Sequence, residues 1–155
     1  MKKYFLLFGL FIFALSSCKK ATTFDTAAQA ATDDALIQAY LQLHTEITAT
    51  KDPSGLYYQI INPGTAAHPT DASNITVGYT SMTLDGVALD SRSSTYFAPL
   101  GQLIEGWRIG LPKIGTGGTI LLIVPSGLGY GNTAHGNIPA NTVVIYNSVT
   151  LQGFN

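Results

Sequence analysis

An α+β domain, one short helix set among about five antiparallel strands, is the fold class this sequence predicts. Three observations carry it. Sixteen glycines and seven prolines punctuate short apolar runs rich in Val, Ile, Thr and Tyr, the composition of strands joined by turns. The run Ile75–Met82 alternates, placing Ile75, Val77, Tyr79 and Ser81 on one face and Thr76, Gly78, Thr80 and Met82 on the other. Leu103, Ile104 and Trp107 stand at i, i+1 and i+4, the spacing of one face of a short helix that carries the single tryptophan.

A length of 155 residues suits one domain with an N-terminal extension. Charged residues make up 11% and the net charge is -1, so no basic patch is available to meet phosphates, and nucleic acid is excluded as a partner.

The extension opens with Met1-Lys2-Lys3 and an apolar run, Tyr4 to Leu15, too short to span a bilayer as a mature helix. This is the pattern of an export signal over residues 1–17. Leu15-Ser16-Ser17-Cys18 resembles the lipobox of bacterial lipoproteins, which implies cleavage before Cys18 and acylation of that residue. Cys18 is the only cysteine, so no internal disulfide is possible. Acyl chains buried at roughly 0.8 kcal/mol per CH2 hold such a protein on a membrane without a spanning helix. Lys19-Lys20 stand where inner-membrane lipoproteins carry aspartate. The resemblance thus implies a bacterial cell-envelope protein anchored at the outer membrane, on the periplasmic face rather than the surface.

Residues 18–53 then read as a tether and one helix. Ala21 to Ala31 is a run of Ala, Thr and Gln with little to pack. Thr32-Asp33-Asp34 is expected to cap a helix ending between His44 and Ile47. Leu36, Tyr40 and Leu43 form one apolar row, and Ile37 and Leu41 an adjoining one. The helix either docks or dimerises, or else packs against its own domain or serves as a spacer. Lys51 to Gly55 closes this region with a turn.

Residues 54–155 form the domain proper. Leu56–Ile61 is its first strand, ended by Asn62-Pro63-Gly64. After the alternating Ile75–Met82 strand, Asp85-Gly86 signals a hairpin returning into Val87–Asp90. A loop is expected over Ser91–Thr95 before Tyr96–Leu100. The helix is expected from Leu103 to Ile109 or Gly110, stopped by Pro112. Thr119–Val124 reads as a central apolar strand, Ser126–Ala140 as a glycine-rich loop, and Val143 to about Leu151 as the last strand. Asn147-Ser148 marks a bulge or register shift within it.

The chemistry of familiar hydrolases is not legible. His44, His68 and His135 have no second ligand at metal spacing, so no metal or cofactor is expected. Nor is there a Ser/His/Asp spacing, and Gly115–Gly118 follows a helix rather than opening one. Asp85, Asp90 and Glu105 form no evident acid/base pair.

A resemblance becomes specific when the motifs are taken in order. Tyr79-Thr80, Asp85-Gly86, Asp90-Ser91, Leu100-Gly101-Gln102-Leu103-Ile104-Glu105-Gly106-Trp107, Val124-Pro125-Ser126, Gly129-Tyr130-Gly131 and Ile138-Pro139-Ala140-Asn141-Thr142 together resemble the FKBP-type peptidyl-prolyl isomerases. The likeness spans residues 54–155. It implies an antiparallel half-barrel wrapped around the short helix, an apolar pocket between them, and proline-containing polypeptides as substrates. It implies Asp90, Tyr130, Trp107, Ile104 and Tyr79 as catalytic positions: Trp107 at the pocket floor, Tyr130 and the Ile104 N–H as donors to substrate carbonyls. Leu89, Tyr96 or Phe97, Leu103, Ile138 and Tyr146 match its substrate-binding walls.

Leu89 departs from the family, which usually has phenylalanine before the aspartate; Arg92 comes early, and Ala134-His135-Gly136-Asn137 is more polar than usual. These departures keep an alternative open, a non-catalytic chaperone or binding lipoprotein of the same fold.

Overall fold

The computed structural model describes residues 24–155; the export signal, Cys18 and the start of the tether lie outside the described residues. Two helices, α1 (Thr26–Leu43) and α2 (Glu105–Gly110), flank six strands: β1 (Thr50–Lys51), β2 (Tyr57–Asn62), β3 (Asn74–Thr83), β4 (Ala88–Pro99), β5 (Thr119–Val124) and β6 (Val144–Phe154). All neighbours in the sheet are antiparallel, in the order β1-β2-β5-β6-β3-β4. The strand beyond the expected five is the two-residue β1, too short to leave a periodic signal.

The two faces of the sheet carry two cores. One holds Trp107, Leu111 and Ile114 from α2 and the turn after it, against Ile75, Val77, Ile120, Leu122, Val144 and Tyr146. The other packs Ile37 and Tyr40 of α1 against Tyr57, Leu121, Ile123, Val143 and Ile145. Consecutive residues of β5 thus serve opposite cores, as strand alternation requires.

Strand β6 keeps its α2 face apolar along its length by breaking its own alternation. Thr80 pairs with Ser148 and Ser81 with Tyr146, so Asn147 is the extra residue of a bulge. Before it Val144 and Tyr146 face the α2 core; after it Val149 and Leu151 do. Without the bulge, Ser148 and Thr150 would take those places. The register shift expected at Asn147-Ser148 is present.

Helix α1 differs from its reading. It begins at Thr26, so most of the expected tether is helical. Asp25 is the N-cap, its carboxylate accepting the Ala27 and Ala28 N–H groups at 3.1 and 3.0 Å. The alanine-rich run that looked featureless is a strong helix former. The helix ends at Leu43, with the His44 N–H donating to the Tyr40 carbonyl. Its buried row is Asp33, Ile37 and Tyr40. Leu36 and Leu43 are exposed, Leu43 by 82%. Of the two readings left open for this helix, packing on its own domain is the one the structure shows.

The hairpin at Asp85-Gly86 forms as read, with Gly86 at a φ of 82° and the Thr83 N–H bonded to the Val87 carbonyl at 3.0 Å. The expected loop at Ser91–Thr95 is a correction. Strand β4 runs unbroken from Ala88 to Pro99, and the extra residues form a bulge: Val77 pairs with Tyr96 but Tyr79 with Arg92.

Candidate functional site

Helix α2 lies directly on β5 because two of its residues lack side chains. A Cβ on Gly106 would meet Val124 at 2.6 Å, and one on Gly110 would meet Leu122 at 2.6 Å. Leu100–Gln102 forms a 3-10 turn before it, docked by the Leu100 N–H on the Ser73 carbonyl and the Gly101 N–H on the Asp71 carbonyl. Arg108 adds ion pairs to Asp71 and Glu105, at 2.6 and 2.7 Å.

The helix starts later than expected. Leu103 is extended and Ile104 is the N-cap, so neither lies within α2. The α-helix does end at Gly110, but Pro112 then sits at the start of a second 3-10 turn, Leu111–Lys113, where a missing N–H costs nothing. The Ile104 carbonyl accepts the Trp107 N–H at 3.0 Å, while its own N–H has no acceptor among the described residues.

Four of the predicted residues form one aromatic cluster. Tyr79 meets Trp107, Tyr146 and Tyr96 edge-on at 5.1, 5.9 and 6.0 Å between centroids. Trp107 meets Tyr146 edge-on at 5.2 Å. These are favoured aromatic geometries. Trp107 is 4% exposed, and its Nε1 is buried without a hydrogen-bond partner among the described residues. Burial, and then contact with the Tyr130 hydroxyl, raises the Tyr146 pKa well above the usual tyrosine value. Burial, then the Asp90 carboxylate, does the same to Tyr79. Both phenols are therefore neutral hydrogen-bonding groups at neutral pH.

Asp90 is held at the rim. It accepts the Tyr79 hydroxyl at 2.7 Å, its N–H donates to Ser81 Oγ at 3.1 Å, and Arg92 Nε lies 3.7 Å away.

Tyr130 comes from the long loop between β5 and β6. Its ring stacks on His135 at 5.0 Å, and its hydroxyl lies 3.4 Å from that of Tyr146. Paired bonds between His135 and Ile138, 2.9 and 3.0 Å, turn this loop back over the cluster. A cleft of about 210 Å³ results, lined by Tyr79, Ser81, Leu89, Asp90, Tyr130, His135, Asn137, Ile138 and Tyr146. A larger cavity of about 850 Å³ lies between the start of α1 and the Ser126 turn; no predicted site residue lines it.

The structure thus brings together Tyr79, Leu89, Asp90, Tyr130, Ile138 and Tyr146 around one opening, with Tyr96 and Trp107 packed into the same cluster. Leu103 and Ile104 are half-buried against that core. Phe97 does not join them: one residue along β4 from Tyr96, it faces the other way and is 60% exposed. Ser81 and His135 were missed. Ser81 had a signal, since it continues the alternation of Val77 and Tyr79. His135 had none, because an irregular loop gives no spacing from which to infer a neighbour.

The family profile described as FKBP-type peptidyl-prolyl cis-trans isomerase matches residues 65–152, more than half of the chain. The chain belongs to this family. The FKBP-type peptidyl-prolyl cis-trans isomerase FkpA of Aeromonas hydrophila is 38% identical over 96 residues, 60% of this chain and 36% of the relative. The outer membrane protein MIP of Legionella longbeachae is 36% identical over 100 residues, 61% of this chain and 42% of the relative. Among solved FKBP-type structures, FkpA from Escherichia coli matches with a TM-score of 0.72 at 28% identity, covering 83% of this chain and 62% of that one. The chain spans little more than a third of the Aeromonas FkpA.

Proposed function

We propose that this protein is a peptidyl-prolyl cis-trans isomerase that takes X-Pro segments of exported polypeptides into the aromatic cleft. The observation that supports it best is the cluster of Tyr79, Trp107 and Tyr146 beneath an opening rimmed by Asp90 and Tyr130, all inside the segment that matches the family.

Rotation about a peptide bond meets a barrier of about 18–20 kcal/mol, because the C–N bond is partly double. The twisted state loses amide resonance and becomes less dipolar. Surroundings of buried rings favour that state over the planar one, relative to water. The prolyl ring sits over Trp107, walled by Tyr79, Tyr96, Leu89, Leu103, Ile104, Ile138 and Tyr146. Phe97, facing outward, contributes at most to a flanking stretch of substrate. The Tyr130 hydroxyl and the Ile104 N–H, which lacks an internal acceptor, donate to substrate carbonyls beside the rotating bond. Asp90 orients Tyr79 and faces the substrate. No nucleophile, metal or proton transfer is required.

The same reading places the protein in the bacterial envelope, anchored through lipidated Cys18 at the outer membrane, facing the periplasm. The lipobox-like Leu15-Ser16-Ser17-Cys18 supports this, and a relative carries the name outer membrane protein. A second reading has one observation in its favour. Leu89 lines the cleft where the family carries a ring, which suits a chaperone or binding lipoprotein that grips such segments without turning them over.

The test is a protease-coupled isomerisation assay on the full chain in detergent micelles, with folding checked by circular dichroism. A rate above background that falls on substituting Asp90 supports the enzyme. A folded protein that binds proline peptides at background rate supports the second reading and sinks the first.

A further inference from the structure

The carboxylate of Asp33 is used by nothing in this mechanism, yet it is fully buried at 0% exposure. A charge in that position must be hydrogen-bonded to persist. It lies on α1, before the family-matched residues 65–152 begin. Its Oδ2 accepts both the Ser126 N–H and the Ser126 hydroxyl at 2.7 Å, and its Oδ1 accepts Gln29 Nε2 at 2.7 Å.

Ser126 begins the 3-10 turn Ser126–Leu128. Its carbonyl accepts the Gly129 N–H at 3.0 Å and the Gly131 N–H at 2.8 Å, the two residues that flank Tyr130. The far end of the loop is fixed separately, by the Asn141 N–H on the Gly131 carbonyl at 2.8 Å. A continuous run of short hydrogen bonds therefore leads from α1, on one face of the sheet, to the backbone that presents Tyr130 to the cleft on the other.

We infer that Asp33 is a positioning residue for Tyr130, acting through the Ser126 turn, so that α1 is part of the site's support. The inference rests on the proposed isomerase reading for its kinetic consequence but not for its structural one. A hydroxyl that holds a carbonyl beside the rotating bond is engaged equally in the planar and twisted states. Its displacement therefore weakens substrate binding more than it slows rotation.

The experiment uses the full chain in micelles, as Asp33→Ala and Asp33→Asn. Asparagine keeps an acceptor for Ser126, and Gln29 can turn its amide to meet the new NH2. In Asp33→Ala we expect KM to rise about tenfold with kcat within about twofold, below the ~100-fold that a 1 Å misplacement can cost. Asp33→Asn should return KM to within about twofold of the parent. By NMR, the Gly129 and Gly131 amides should exchange faster in Asp33→Ala and at the parent's rate in Asp33→Asn.

A folded Asp33→Ala with parent-like KM, or with unchanged Gly129 and Gly131 exchange, overturns the inference. If Asp33→Ala does not fold, Ser126→Ala serves: it keeps the backbone N–H bond and deletes the hydroxyl one. We expect about a threefold rise in KM from it, and parent-like KM with parent-like exchange overturns the inference. If the unsubstituted chain shows no isomerisation, that reading falls alone. Amide exchange and titration with a proline peptide then test Asp33, and unchanged values overturn it.

Discussion

The two faces of the sheet make an instructive pair. Under α1, apolar side chains close on one another, and the polar groups near them are matched: the Tyr57 hydroxyl donates to Asp34 at 2.8 Å. Under α2, rings of the same kind meet edge-on; Asp90 holds the Tyr79 hydroxyl at 2.7 Å, but two other polar ends are less closely matched. The Tyr130 and Tyr146 hydroxyls are 3.4 Å apart, at the long limit of a hydrogen bond, and Trp107 Nε1 has no partner among the described residues. On the proposed reading, the α1 face satisfies its donors internally and the α2 face keeps some in reserve for a ligand.

The largest effect separates the two faces directly. Trp107→Ala and Ile37→Ala each remove a buried side chain, and should cost about 3–5 and 2–5 kcal/mol respectively in urea unfolding. Only Trp107→Ala should also abolish binding of a proline peptide, measured by titration below the unfolding transition. Ile37→Ala should leave affinity within about twofold, because Tyr40 and the Asp33 bonds still dock α1. Equal loss of affinity in both would mean that the faces are not distinct.

Legibility in the sequence divided along the same line. The α2 face was readable because β3 alternates and β5 is a continuous apolar run, and because the ordered motifs pointed to Tyr79, Asp90, Trp107 and Tyr130. Phe97 was left as a choice with Tyr96, which only the β4 register could settle. The α1 face was left open between two rows: Leu36, Tyr40 and Leu43 satisfied the helical spacing as well as Ile37 and Leu41 did, and sequence alone does not say which side chains meet the sheet. The cap at Asp25 was overlooked since Thr32-Asp33-Asp34 looked like a stronger one. Asp33 turned out to be a long-range anchor, and a contact made 93 residues away leaves no local pattern.

An ion pair ties the turn after α2 to the chain that follows the edge strand β1. Lys113, from the turn after α2, donates to Asp52 at 2.8 Å and lies 4.5 Å from the centroid of the Tyr58 ring. The Lys113 bond, then those from Ser54, lower the Asp52 pKa from the usual 3.8 to about 2. A depressed carboxylate adds stability above its unfolded pKa and loses it as pH falls through the folded one. Asp52→Asn should therefore cost about 1–2 kcal/mol at pH 7, with the gap closing between about pH 4 and pH 2. Urea unfolding of both proteins across that range checks it. A gap constant down to pH 2 would show that the contact is not electrostatic.

The smallest effect bears on Leu89, where the sequence departs from the family resemblance. Leu89 is half-buried and lines the opening beside Asp90 and Tyr130. Leu89→Phe restores a ring next to Tyr79, and an edge-on aromatic contact contributes about 0.5–1.5 kcal/mol beyond area. Against that, the cleft holds only about 210 Å³, so a larger side chain also takes room from the substrate. The half-exposed position decides between them, since a ring there can lean over the opening rather than fill it. We expect kcat/KM to rise about threefold for small residues before proline and to change less for bulky ones. A fall for every substrate would mean that volume, not ring count, limits this face.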